Sequence, residues 1–537
     1  MLVIIRLQNK KGEAVKKTNE TIITQDFALY EKGKEYNRAI GHYDTVDKNE
    51  RFYRGDQWNN VNSGGLPTPV FNIFKRIINY FIATITSQKI SLHFDADGIS
   101  YLFDENEKEK IDSACNLINS YLNYRYDKDK ITDLLSKGLL DAAICGDMFA
   151  YVYWDGTKKN PQGYTGDFAT ALIDSTNVFF GNVNSAEVED QPYILISGRE
   201  LVENLRAEAA ASGISREDIE KIVPDDDTCF QSGDLGKEEL KGTKCTYVIK
   251  LYKKNGTVRF RKSCAGTVIC PERDTQLHLY PVALMNWDSV KNSYHGQAVA
   301  TGMIENQIYI NKAFAMVMKH MMDVSFSKVV YNSNVIDEWT NGIGEAIAVN
   351  GPVENAALRL EPGSMQSTYL DVLSMTLSVT KELLGASDVA LGNVNPTNTS
   401  AIIALQQAAS LPLENQKRAL YGFVEKLGLI WLDYILNYYD ASRMILFRKK
   451  GELSGGNLDL KSIKNAIFSC KVDVGASAYW SELACVTTLD NLLTQNRITF
   501  KQYLNRLPDG YIPQKSELLE ELEEQNEINI PEKQQNG

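Results

Sequence analysis

A chain of 537 residues, 43% hydrophobic and 23% charged, is long enough for several packed layers and reads as an ordinary folded protein of about three domains. Its net charge of -12 excludes an open electrostatic clamp on nucleic acid, which needs clustered Lys and Arg, but not a conduit whose walls let DNA slide. Eight cysteines without a two-residue-spaced pair, and five scattered histidines, lack the spacing of a structural zinc site and fit buried free thiols.

In chain order, the first forty residues are polar, with Lys10, Lys11, Lys16 and Lys17 ahead of a helical stretch from Thr24 to Arg38, and read as a mobile or partner-bound arm. The prolines of Leu66-Pro67-Thr68-Pro69 force an extended approach to an amphipathic helix beginning near Asn72, with Ile73, Ile77, Ile78, Phe81 and Ile85 as its apolar stripe. Lys75 and Arg76 interrupt this most hydrophobic stretch, Val70 to Thr86, so it cannot span a bilayer. No targeting signal is expected, and a soluble intracellular product is. A strand over residues 90–94 and helices over 107–125 and from Lys130 to Cys145-Gly146 follow. Strands are expected at 148–154, 169–173 and 193–196, then a charged surface helix from Glu200 to Val223. Asn255-Gly256 between alternating runs predicts a hairpin of 246–252 with 257–260, because both turn residues tolerate positive φ.

After Gly302 the texture changes. A helix from Met303 to Asp323, about 30 Å long, precedes a glycine-punctuated, short-stranded segment to Gly363 and a second helix from Met365 to Leu384. A loop from Ala386 to Thr397 leads into a helical stretch to Asp440, about 60 Å long and expected to bend at Pro412. Strands over 443–474 and a helical, acidic C-terminal part complete the chain.

Constellations that carry chemistry are hard to find. Asp225-Asp226-Asp227 could hold a metal or form a solvated turn. No phosphate-cradling Gly-Lys-Ser/Thr loop and no Gly-x-Ser-x-Gly elbow occurs, and His295 has no nucleophile or orienting acid near it in sequence. No cofactor and no metal is expected. The helix pair is more informative. On a helical wheel of residues 365–384, Asp371, Ser374, Ser378, Lys381 and Glu382 form one narrow polar face, and Tyr369, Leu370, Val372, Leu373, Leu377, Val379, Leu383 and Leu384 fill an apolar arc wider than one partner helix needs. That pattern fits a core helix with one wet side, and equally a helix lining an oligomeric pore. The loop after it, with Asp388, Asn393, Asn395, Thr397 and Asn398, is polar and almost uncharged, and its amides and hydroxyls could touch a phosphate backbone without gripping it.

Ordered motifs along nearly the whole chain resemble the portal proteins of double-stranded DNA bacteriophages, especially tailed phages of Gram-positive hosts. They are Gly55-Asp56-Gln57-Trp58, then Pro69 to Asn72, Ala143 to Trp154, Trp287 with Tyr294-His295-Gly296, Ile304 to Ile308, Leu391 to Gln407 and Leu493 to Pro508. The resemblance implies an α+β portal fold with a mixed α/β wing, a two-helix stem, a small α/β clip, a long kinked tunnel helix and a short helical crown. On that map residues 1–40 are an N-terminal arm, 41–300 wing, 301–323 the first stem helix, 324–364 clip and 365–385 the second stem helix. Residues 386–397 are the tunnel loop, 398–480 the long kinked helix and wing return, and 481–537 the crown and acidic tail, with no tall C-terminal barrel.

The implied function is a dodecameric ring at one capsid vertex, not an enzyme, through which the genome is packaged and ejected. Its partners are the terminase large subunit, the major capsid protein and scaffold, a head-tail adaptor, and DNA that passes without sequence specificity. No membrane is involved, and the protein is placed in the virion and, during assembly, in the host cytoplasm. Asp371, Ser374, Ser378, Lys381 and Glu382 are expected on the channel face of the stem, and Asp388, Asn393, Asn395, Thr397 and Asn398 in the tunnel loop. Asp337, Glu338, Glu345 and Glu354 make the clip acidic where terminase or adaptor docks. Two other classes remain open: a metal-dependent hydrolase using the Asp225 cluster, and a monomeric scaffold or adaptor.

Overall fold

A computed structural model describes residues 2–59, 61–87, 90–97, 105–159, 164–225, 243–325, 329–340, 346–359, 367–383, 411–439, 443–449, 452–457, 467–474, 479–495, 497–507 and 518. Over these residues the chain is α+β, with helices and strands mixed along its length and every paired strand antiparallel.

The chain opens on α1 (Leu2–Ala39) and α2 (His42–Arg54). The arm expected over residues 1–40 is helical, and its second half is docked. Tyr30 is fully buried with Phe179, Leu195 and Val248, and Asp26 sits beneath the helix against Arg261 and Lys250. Its docking combines that buried carboxylate with the apolar contacts of Phe27, Leu29 and Tyr30.

The helix α3 (Ile73–Ile85) starts where expected, with the Asn72 side chain accepting from the Lys75 amide. Its buried stripe is Phe74, Ile77, Ile78, Phe81 and Ile85, and Ile73 is only half-buried. Next come β1 (Ile90–Asp97), α4 (Glu105–Lys128) and α5 (Ile131–Cys145). The strands between residues 147 and 286 form two sheets. In the first, β2 (Asp147–Lys159) lies between β3 (Thr165–Ile173) and β9 (Val282–Asn286). The second is a meander of β4 (Val178–Phe180), β5 (Ile194–Leu201), β6 (Lys244–Lys254), β7 (Thr257–Cys264) and β8 (Val268–Asp274).

The predicted hairpin is present, with Lys254 opposite Thr257 and both Asn255 and Gly256 at positive φ. The surface helix expected over 200–223 is not continuous. β5 runs on to Leu201, α6 covers Val202–Ala211, and after a break a short α7 spans Arg216–Ile219, N-capped by Ser215. Its apolar residues Val202, Leu205 and Ala209 close a small core over Cys245, Cys264 and Cys270.

Beyond the sheets, α8 (Val299–Ser325) is about 40 Å long. A two-stranded ladder of β10 (Val329–Tyr331) and β11 (Ala357–Arg359) separates it from α9 (Ser367–Leu383), and α8 and α9 pack on each other. Pro412 does not bend the middle of a described helix. It sits in a 3-10 turn, Leu411–Leu413, immediately before α10 (Glu414–Tyr438), where its missing amide hydrogen costs nothing; residues 398–410 lie outside the described residues.

The helix α10 returns to the main core, burying Phe423, Leu427, Trp431, Tyr434 and Ile435 against the first sheet. Then β12 (Met444–Lys449) pairs with β13 (Glu452–Asn457), and β14 (Ile467–Val474) pairs with the distant β1, Ile90 opposite Val474. Last are α11 (Tyr479–Thr494) and α12 (Phe500–Arg506), the latter with a Thr499/Gln502 capping box. Among the described residues no helix is long and apolar enough to cross a membrane.

Candidate functional site

Two buried polar clusters tie α8 and the segment leading into it to earlier parts of the chain, and both are built from the sequence motifs singled out above. In the first, Gln307 on α8 accepts from the Phe74 amide through Oε1 (3.2 Å) and donates through Nε2 to the Phe71 carbonyl (2.8 Å). One turn on, Asn311 accepts from the Phe71 amide (3.3 Å) and donates to Gln57 Oε1 (2.7 Å). Gln57 donates to the Phe52 carbonyl, Trp58 Nε1 to the Pro69 carbonyl, and Asn72 Nδ2 to the Tyr53 carbonyl. The Gly55–Trp58, Pro69–Asn72 and Ile304–Ile308 motifs are therefore one hydrogen-bonded joint. Two side-chain amides satisfy the Phe71 backbone groups and the Phe74 amide, a first-turn donor of α3 without a partner in its own helix, so an apolar substitution would strand them at about 1–3 kcal/mol each.

The second cluster surrounds His295. Its Nδ1 is 2.5 Å from Asp147 Oδ2, and the Gly296 amide donates to Asp147 Oδ1 at 2.6 Å. The His42 ring stacks on the His295 ring at 4.0 Å, and His42 Nε2 is 3.3 Å from Ser175 Oγ. Backbone shape permits the joint. Gly146, at φ 100°, runs so close to the Gly296 carbonyl that a Cβ there would stand 2.5 Å from it. Asn37 Oδ1 lies 3.1 Å from Nε2, and it accepts from Nε2–H when a protonated Asp147 donates to Nδ1.

His42, Asp147 and His295 are the one group among the described residues with metal-ligand composition and proximity. Their geometry speaks for a hydrogen-bonded joint: the 2.5 Å contact is closer than two ligands of one ion approach each other, and both carboxylate oxygens are already used. Asp147 is the orienting acid that the sequence did not reveal beside His295. Even so, the imidazole is wholly enclosed and its Nε2 faces Asn37.

Burial pushes Asp147 up to about 7 and His295 down to about 3, and burial, then the neighbouring His295, pushes His42 down to about 3. An unfolded chain takes up a proton on each imidazole below its ordinary 6.5, and the folded chain only near 3. Asp147 acts in the opposite sense, holding a proton when folded below about 7 and when unfolded only near 3.8. Two depressed groups against one raised group leave the unfolded state richer by about one proton between pH 6.5 and 4. These groups should therefore lower stability as the pH falls through that range. Replacing His42 by Gln should flatten that slope; denaturant titrations of both proteins at stepped pH give the measurement, and parallel slopes would contradict the assignment.

Of the predicted stem face, Asp371, Ser374, Ser378 and Glu382 are exposed together on α9 and Lys381 beside them is half-buried. The apolar arc divides in two. Leu373 and Thr380 are buried and Thr376 and Leu377 half-buried, a seam at helical spacing. Val372, Met375 and Val379 form a separate, uncovered stripe next to the polar face, Met375 being 68% exposed. Around the last turns of α8, Met316, Met318, Met321 and Met322 are likewise exposed.

In the segment between the helices Asp337, Glu338 and Glu354 are exposed, as are Val330, Val353 and Leu358, while Glu345 lies outside the described residues. So do the tunnel-loop residues Asp388, Asn393, Asn395, Thr397 and Asn398. Asp225 accepts from the Thr246 amide and hydroxyl, both at 2.8 Å, and its backbone carbonyl accepts from Arg199, so it is fastened to β6 and β5; Asp226 and Asp227 are outside the described residues. No protein-family model matches the chain, and no curated protein matches it.

Proposed function

We propose that the chain is the subunit of a portal-type ring, a passive channel for double-stranded DNA at a capsid vertex. The observation that carries this reading is the uncovered apolar stripe of Val372, Met375 and Val379 beside the exposed polar face of α9. A helix in a monomer's core buries its apolar side once. Here one apolar seam is buried on the side where α8 and α9 pack, and a second stripe on the same helix is exposed. In a closed ring a neighbouring hairpin covers that second stripe, and Asp371, Ser374, Ser378, Lys381 and Glu382 face the lumen.

The helix–ladder–helix order of α8, β10–β11 and α9 supports the stem and clip assignment, and the two polar joints at the root of α8 give the stem a fixed attachment. The clip, acidic at Asp337, Glu338 and Glu354, would dock the terminase ATPase and then the head-tail adaptor. The tunnel loop would touch DNA through small uncharged groups, without sequence readout. On this reading the protein supplies no chemistry: packaging energy comes from terminase, and the Asp225 turn and the enclosed His295–Asp147 pair are structural.

A mass measurement on the purified chain tests this. Single-particle mass photometry should find a dominant species at an integer multiple of 60.3 kDa, with twelve copies expected from the family. A population of single copies at every concentration would contradict it.

A further inference from the structure

Three cysteines share one face of the second sheet. Tyr247 of β6 lies opposite Cys264 of β7, so Cys245, two residues before Tyr247, is a diagonal neighbour of Cys264 on the same face. Lys262 lies opposite Cys270 of β8, which puts Cys270 on that face as well. All three are at most 3% exposed, closed over by Val202, Leu205 and Ala209 of α6 and by Ile222.

The three thiols are not equivalent. Cys270 Sγ is held by α6, 3.3 Å from Ser212 Oγ and 3.4 Å from Glu208 Oε1. Cys245 and Cys264 instead hydrogen bond to each other with the Cys245 thiol as donor, which pushes Cys245 up and brings Cys264 down to about 7. The sulfur that accepts its neighbour's S–H is the one that carries negative charge, and thiolate is the attacking form of cysteine. One member of the pair can therefore attack, and the other stands in reach of it to complete a bridge.

Two features would make that bridge reversible. Cα atoms of diagonal partners stand about 7–8 Å apart, wider than the roughly 4.4–6.8 Å that an unstrained disulfide spans. Closing it draws β6 and β7 together, where the β7–β8 ladder already shifts register beside Lys262 and Ser263 and can give. A bridge under such strain is readily reduced again. The cover can also open: α6 is ten residues long, and no side chain caps its N-terminus.

We propose that Cys245 and Cys264 form a reversible dithiol–disulfide site, oxidised by a low-molecular-weight disulfide such as oxidised glutathione when α6 lifts. The Cys264 thiolate attacks one sulfur of the small disulfide, breaks its S–S bond, releases one thiolate and leaves a mixed disulfide. Cys245 then gives its proton to the released thiolate and attacks Cys264 Sγ. This expels a second small thiolate, which takes up the proton that Cys264 had lost. Two protein thiols are oxidised to one disulfide, and the small disulfide is reduced to two thiols. The inference does not depend on the ring reading.

Peptide mapping of the full-length chain tests it. The reduced protein is equilibrated, without denaturant, across a series of oxidised-to-reduced glutathione ratios. Free thiols are then blocked with N-ethylmaleimide, and tryptic peptides are read by mass spectrometry without reduction. Residues 245–250 should appear joined to residues 263–273 as the majority form at the oxidising end, and should separate when the ratio is reversed. Residues 263–273 hold both Cys264 and Cys270, so fragmentation of the linked pair should place the bond on Cys264. Cys270→Ser should keep the link and Cys264→Ser should lose it, each in protein whose thermal melt shows it folded. A bridge within residues 263–273, a link to Cys270, glutathione retained on Cys264 with no link, or no oxidation of the pair while the chain is folded would overturn the inference.

Discussion

Asp26→Ala should destabilise the fold by about 3–5 kcal/mol, the largest effect of any single substitution in the first helix. Asp26 is fully buried. It accepts from Arg261 Nε at 2.8 Å, Arg261 Nη2 at 2.6 Å and Lys250 Nζ at 3.0 Å. Removing the carboxylate leaves the guanidinium and the ammonium enclosed beneath α1, with Glu272, 3.7 Å from Arg261, as a weaker partner. Desolvated cations without an anion cost far more than an exposed pair gains. Glu35→Ala, which changes an exposed side chain on the outer side of the same helix, should therefore change stability by less than about 1 kcal/mol. Thermal unfolding compares the two variants, and amide exchange over residues 20–39 shows whether α1 has been released. Equal losses in both would mean that α1 is held by its apolar contacts and not by Asp26.

Met375→Asp should leave the single chain as stable as the parent, within about 0.5 kcal/mol, yet abolish ring formation. The side chain is 68% exposed, so a carboxylate there stays hydrated in one copy. In the ring it would be enclosed between hairpins and repeated in every subunit, at several kcal/mol for each unpaired charge. Leu373→Asp differs because Leu373 already faces α8 and is 6% exposed, so folding of the hairpin itself should suffer by about 3 kcal/mol or more. Ser374→Asp, on the polar face, should be mild in both respects. Circular dichroism melts and ring yield by size exclusion separate the three. Parent-level ring yield from Met375→Asp would show that its stripe is not a subunit contact.

The elements whose identity is set locally were legible in the sequence. Asn72 caps α3, Gly146 closes α5 and Asn255-Gly256 turns the β6–β7 hairpin, because each of these signals depends on neighbouring residues. What decided the rest lies far away in the chain. Asp26 finds its partners at Lys250 and Arg261, Asp147 at His295, and β1 at β14, and nothing in any of those segments names the other. Asp147 did leave one trace, an acid directly after Gly146 at the head of the apolar run Met148 to Ala150. The division of α9 into a covered and an uncovered apolar stripe was also beyond the helical wheel. A wheel gives the width of the arc and not which part of it α8 reaches.

Electron microscopy of the purified full-length chain tests the central claim most directly. End-on class averages should show closed rings with a stain-filled central hole, and Met375→Asp should give only isolated particles of one copy each. Compact single particles without a hole from the parent chain, under conditions where its thermal melt shows it folded, would contradict the account.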